Sequence, residues 1–204
     1  MFPFEVPPGT TIDGLFRDIL PRAHATMVPA SAPRDRFVVV EKVAGFETFT
    51  LEIEGPRMTV RTGAVERPDF WVLLERSNVQ LFLDDWTGDK KLLPQRMPKE
   101  MVSISDPRVL KRLALVSAKA ELAIKGIGDG RVALTAATGG AAKKPIDADE
   151  ADVVLEASAS TFMRLVEGTL PPEDAIADGE IAVRGKRLTA VQLALAFAPF
   201  YPMR

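Results

Sequence analysis

Hydrophobic and polar positions along this chain follow two rhythms that alternate repeatedly. Near the N-terminus, Ile12, Leu15, Phe16 and Ile19 recur at helical spacing, which predicts a helix from about Thr11 with Pro21 near its end. Phe37-Val38-Val39-Val40 is β-branched and predicts a strand. Thr48 to Glu54 alternates, with Leu51 and Ile53 on one face and Glu52 and Glu54 on the other. Gly55-Pro56 turns the chain and Met58-Thr59-Val60-Arg61 returns, so a hairpin is expected. Phe70 to Leu74 reads as a strand apolar on both faces. Asn78 is placed to cap a short helix carrying Val79, Phe82 and Leu83. Lys90 to Glu100, with two prolines and many charges, predicts a loop between units. Val102 and Ile104 follow as a short strand. Asp106-Pro107 then caps and begins a helix through Val109, Leu110, Leu113 and Val116.

A second series begins at about Lys119. Leu122 and Ile124 alternate with smaller residues, Gly128-Asp129-Gly130 turns, and Val132 and Leu134 return. Gly139 to Asp149 reads as a loop, and Val153 to Leu155 as a strand. Ser160 is expected to cap a helix of Phe162, Leu165 and Val166. Pro171-Pro172 opens another short helix, which Gly179 ends. Glu180 to Gly185 forms a strand, and a nearly all-apolar helix runs from Leu188 to about Ala198; between Leu188 and Phe197 only Thr189 and Gln192 are polar. An all-round apolar helix needs apolar neighbours on most sides.

The two series repeat. Leu51 to Gly55 matches Leu122 to Gly126, Asp69 to Asp84 matches Asp152 to Glu167 without a gap, and Val102-Ser103-Ile104 matches Ile181-Ala182-Val183. The identities are few and the order of elements carries the comparison. A repeat of this length predicts a pair of units, 1–118 and 119–204, packed as a pseudo-dimer or sharing one sheet.

Composition removes many functions. The 204 residues are 47% apolar and 26% charged, as in an ordinary globular protein, with a formal net charge of -2. A chain of this size buries roughly 70% of its unfolded surface, so a substantial core is expected. The small negative charge argues against nucleic acid and against a polybasic membrane anchor. Without cysteine there are no disulfides, thiol nucleophiles or thiolate metal sites. Met1 to Pro8 lacks the form of a signal peptide, and no apolar run is long enough to span a bilayer, so a cytoplasmic location is expected.

Catalytic signatures are equally sparse. His24 is the only imidazole, so a Ser–His–carboxylate triad would have to use it; no motif surrounds it, and a surface position is expected. Asp147-Ala148-Asp149-Glu150 and Glu173-Asp174 lack the spacing of a calcium loop. The first reads as a charged loop and the second as a helix N-terminus. Gly139-Gly140 with Lys143-Lys144 lacks the frame of a phosphate loop. No motif asks for a metal or cofactor. Trp71 is expected in the core, Trp86 at a helix end, and Arg184-Gly185-Lys186-Arg187 as a solvated turn.

At Gly168, Pro171, Ala175, Gly179 and Gly185 the sequence resembles the sterol carrier protein family. Members carry a strand, a helix ending in Gly, a second helix with a central Ala, a Gly, a strand and a Gly turn, then a final helix. The match covers Asp152 to Pro202 and extends back to Lys119. Over Thr11 to Ala118 the second helix is replaced by Trp86-Thr87-Gly88-Asp89 and the Pro-rich loop. The resemblance implies an α+β fold, internally duplicated here, with a mostly antiparallel sheet covered on one face by helices. It also implies a hydrophobic tunnel for a fatty acyl chain, a sterol or a similar lipid. The expected lining is Phe162, Leu165, Val166, Leu170 and Ile176 on the short helices, with Leu193, Leu195, Phe197 and Phe200 on and beyond the last one. Each buried methylene contributes about 0.8 kcal/mol, so such a site needs no polar signature. The leading reading is a non-enzymatic lipid carrier. The alternative is an interaction module of the same fold with a filled interior, forming a homo-oligomer through its apolar C-terminus or docking on an enzyme.

Overall fold

The computed structural model describes residues 6–7, 9–87, 105–127, 130–146, 151–166 and 168–197. Among them, β1 (Arg36–Ala44), β2 (Thr48–Glu54), β3 (Arg57–Thr62), β4 (Phe70–Glu75), β5 (Ala118–Ile127), β6 (Gly130–Thr138), β7 (Val153–Ser158) and β8 (Ile181–Gly185) form one sheet in the order β3-β2-β1-β4-β6-β5-β7-β8. Only β1–β4 and β5–β7 pair in parallel; the other neighbours are antiparallel. The protein is α+β. Its sheet is continuous across the boundary expected near residue 118, because β4 pairs with β6 from Phe70↔Thr138 to Leu74↔Leu134.

One arrangement recurs in the two halves of the sheet. Each has a hairpin whose first strand also pairs, in parallel, with a later strand that leads into a helix. An aspartate fixes the parallel register both times. Asp69 accepts from the Val38 N–H at 2.7 Å through its carboxylate while its own N–H donates to the Val38 carbonyl at 2.8 Å. Asp152 does the same with Lys119, at 3.0 and 2.7 Å. A carboxylate bonded to a strand-entry N–H satisfies a donor that the ladder has not yet reached. Asp69 and Asp152 each lead through a strand, β4 or β7, into a helix. Leu51–Gly55 and Leu122–Gly126 do not correspond: they belong to β2 and β5, whereas the strands with matching partners are β1 and β5. Alternating apolar residues look alike on any strand, and only pairing tells them apart.

The helices are α1 (Ile12–Gly14), a π-helical segment (Leu15–Ile19), α2 (Leu20–Met27), α3 (Arg76–Thr87), α4 (Pro107–Leu113), α5 (Ala159–Val166), α6 (Pro172–Ala177) and α7 (Arg187–Ala196). The first helical stretch does not end at Pro21 but continues to Met27. The Leu20 N–H reaches back to Leu15, so the proline's missing donor falls where the bonding pattern changes from π to α. Asp106 caps α4 by accepting from the Arg108 N–H, with Pro107 in the first position, as the sequence predicts. Two predicted caps are displaced. Asn78 lies inside α3, where its amide donates to the Ala133 carbonyl at 2.9 Å and ties the helix to β6. At α5 the cap is Ser158, which accepts from the Thr161 N–H at 3.0 Å; Ser160 bonds its hydroxyl instead.

The helices gather on one face of the sheet over a core that includes Phe37, Val39, Phe49, Leu51, Ile53, Val153, Ala157 and Ile181. Phe16 stacks on Phe49, ring centroids 4.4 Å apart and planes 11° from parallel. Trp71 is buried as expected, but on the opposite face, with Val40, Leu73, Ala137, Ala142 and Ile146. Gly139–Lys143, predicted as loop, forms a 3-10 turn within this second cluster. The expected loop at 90–100, the strand at 102–104, the turn residues 128–129 and the carboxylates 147–150 lie outside the described residues.

Candidate functional site

Strand register builds one row of side chains straight across the middle of the helix-covered face. Glu41 on β1 is opposite Val72 on β4, Val72 is opposite Ala136 on β6, and Ala136 is opposite Ala120 on β5. Fully buried Phe49 on β2 closes one end and fully buried Val153 on β7 the other. A parallel row holds Leu74, Leu134, Leu122, Leu155 and Val183. Every residue of both rows between the two closures is half-buried, although helices overlie this face. At about 4.8 Å per strand, Glu41 to Ala120 spans roughly 14 Å. Two alanines side by side keep this part of the floor low, and Leu81 of α3, Met163 and Leu165 of α5, and Val191 and Phe197 at α7 are half-buried above the core.

Glu41 is the ionisable group in this row. The alternation Phe37, Val39, Val43 puts its position on the core face, so the sequence carried a signal that went unread: a carboxylate in an apolar slot. Its side chain is half-buried on the helix-covered face, between Phe49 and Val72. Burial alone pushes its carboxyl up to about 7. Among the described residues no hydrogen-bond donor or cation partners it.

The expected lining residues are distributed unevenly. Phe162, Leu170, Ile176 and Leu193 are buried in the main core, and Leu165 and Phe197 are half-buried against it. Leu195 is 45% exposed. Val166 belongs to α5, its side chain outside the described set, as is Phe200. Helix α7 departs from the expected all-round burial. Ala190, Leu193, Ala194 and Ala196 face inward, while Leu188 is 73% exposed. Alanines on the inner face let the backbone approach the sheet closely, with Leu188 and Leu195 on the outer side.

His24 is fully buried, not at the surface. Its Nδ1 lies 2.8 Å from the Ser105 hydroxyl and its Nε2 2.9 Å from the Gly55 carbonyl, so Nε2–H donates and Nδ1 accepts from the serine. It pins α2 to the β2–β3 turn and to the entry of α4. Burial lowers its pKa. The unfolded chain therefore binds the extra proton more readily below about pH 6.5, and this contribution to stability is lost as pH falls through that range. Glu41 acts with the opposite sign: its folded-state pKa is raised, so the stability it contributes in the neutral form is lost as pH rises from the ordinary glutamate value of 4.5 to about 7. Urea denaturation between about pH 5 and 7 should show the two slopes offsetting each other in the native sequence. Glu41→Gln should reveal a stability that rises with pH, and His24→Gln one that falls. The same pH dependence in all three proteins would contradict both assignments.

Glu173-Asp174 lies in the first turn of α6, where acids favour the helix dipole. Arg184, Lys186 and Arg187 are exposed, and Lys186 pairs with Asp152 at 2.9 Å. A hollow of about 330 Å³ on β1–β3 is lined by Arg36, Glu52, Ile53, Glu54, Arg57 and Thr59, with Glu52 bridging Arg36 and Arg61. No group of metal-ligating side chains occurs among the described residues, and no helix there is long and apolar enough to cross a membrane.

Comparison with known proteins bears on the C-terminal half. The model of the SCP-2 sterol transfer family matches residues 100–198. Similar solved structures include sterol carrier protein domain 2 of Helicoverpa armigera, 18% identical over 49% of this chain and 76% of that one, TM-score 0.33. Sterol carrier protein 2 like 2 of Aedes aegypti is 20% identical over 43% and 88%, TM-score 0.32, and the apo sterol carrier protein 2 of Yarrowia lipolytica is 17% identical over 44% and 73%, TM-score 0.29. No curated protein matches. Residues 100–198 thus carry the sequence pattern of the SCP-2 sterol transfer family.

Proposed function

We propose that the protein is a non-enzymatic lipid carrier, and that an acyl chain or sterol-like group lies against the rows Val72–Ala136–Ala120 and Leu74–Leu134–Leu122–Leu155. The observation that carries this reading is the half-buried state of these residues beneath helices that bury the core on either side. The match of residues 100–198 to the SCP-2 sterol transfer family model supports it. Desolvation drives such binding, with no charged anchor required. We read the chain as two units, 1–118 and 119–204, that share the floor: Val72 and Leu74 come from the first, the alanines and remaining leucines from the second. Phe162, Leu165 and Leu193 of the second unit belong to the lid.

Native mass spectrometry of the purified protein, with organic extraction and lipid analysis, tests this reading. A stoichiometric lipid is expected. Ala136→Trp should fill the floor and abolish uptake, with less than about 1 kcal/mol lost. If the interior is filled already, the same change overpacks a core and costs about 1–3 kcal/mol. An apo mass together with that loss would sink the carrier reading. Exposed Leu115 (85%), Leu188 and Leu195 favour the second reading, association of copies; dimer peaks in the same spectrum report on it.

A further inference from the structure

The fold does not require an acid at position 41. Glu41 lies on β1 between Val39 and Val43, opposite Phe49 and Val72. The corresponding place in the second half is Leu122 on β5, between Ala120 and Ile124, opposite Leu134 and Leu155. The parallel registers run in step, Val39↔Phe70 and Glu41↔Val72 in one half, Ala120↔Val153 and Leu122↔Leu155 in the other. One half of the sheet thus fills this slot with a leucine and the other with a carboxyl group. A half-buried carboxyl group set in a row of apolar side chains, with no hydrogen-bond partner among the described residues, calls for a specific explanation.

The surroundings say what kind of partner would suit it. Phe49, stacked on Phe16, seals the β2 side. On the β4 side the half-buried row of Val72, Ala136 and Ala120 leads away, so an apolar chain lying along that row ends at Glu41. A carboxyl group at the end of an apolar trough accepts from a donor and repels an anion, and low dielectric strengthens both effects.

We propose that Glu41 reads the head of the bound lipid, so that the site takes an amphiphile whose head donates a hydrogen bond, an amine or a hydroxyl, and rejects one headed by a carboxylate or phosphate. This rests on the lipid-carrier reading above. The carboxyl is the ligand's partner and the alanine row holds its chain.

Cetylamine, cetyl alcohol and palmitic acid share one chain length and differ at the head. Competition of each against a fluorescent fatty probe, at about pH 8 where the carboxyl is ionised, gives three relative affinities for the native protein, Glu41→Gln and Glu41→Leu. Leucine occupies the corresponding slot on β5, so the second variant guards against a folding failure. The native protein should bind the amine and the alcohol roughly tenfold or more tighter than the acid. Both variants should lose that preference, chiefly by binding the acid better. Equal affinities, or a preference for the acid, unchanged by either substitution, would overturn this inference and leave the carrier reading intact. Failure of the native protein to take up any of the three, or the probe, would overturn both.

Discussion

Gly185→Ala should cost more than about 4 kcal/mol and detach the C-terminal edge of the sheet. Gly185 ends β8 with φ at +91°, a conformation that L side chains rarely adopt. A methyl group there would lie 2.2 Å from the Asp152 carbonyl oxygen. That oxygen cannot retreat freely. It accepts from the Lys186 N–H at 3.2 Å, while the Asp152 side chain and N–H hold the start of the β5–β7 register. Relief therefore means parting β8 from β7 and losing the entry to α7, whose Ala190, Leu193 and Ala194 pack into the core. Backbone strain of this kind costs about 1–3 kcal/mol before the clash is counted. Urea denaturation with hydrogen exchange should show the loss concentrated between residues 152 and 197. A variant within about 1 kcal/mol of the native protein would mean that the close approach at Gly185 is not maintained in solution.

Phe49→Ala should be the most damaging truncation in the N-terminal half, at about 3–5 kcal/mol. Phe49 is fully buried, stacked on Phe16, and flanked in the row by Glu41. The stack adds about 0.5–1.5 kcal/mol to the loss of buried area. Arg17 also sits 5.6 Å from the ring centroid while bonding Asp13 and Thr62, so the ring helps anchor the first helical stretch to β3. For a chain of this size the melting temperature should fall on the order of 10 °C. Functionally, removing the ring opens the closed end of the trough beside Glu41, so lipid uptake should lose head selectivity before capacity. Phe16→Ala should behave alike, and the double variant should lose less than the sum, because the rings share one contact. Full additivity would show that the stack contributes nothing of its own.

What the sequence determined is local. Period-two alternation located β2 and β5, short apolar runs bounded by turn residues located β1, β4 and β7, and the pattern of prolines and glycines located α4, α6 and the turn at Gly185, because these depend on neighbours a few residues apart. The same locality explains the shifted caps at Asn78 and Ser160, since Asn78 found a better acceptor in Ala133, on a distant strand. The family pattern over Asp152 to Pro202 was legible for the same reason: its glycines and prolines mark backbone geometry. Leu188 and Leu195 were not legible as exposed, because an apolar helix does not record which side meets the sheet. Tertiary structure decided that the two halves share a sheet through β4 and β6, that His24 is buried, and that Glu41, Val72, Ala136 and Ala120 form one line. Those facts depend on strand order and register between segments far apart in the chain. A shift of one residue would send every side chain of a strand to the opposite face.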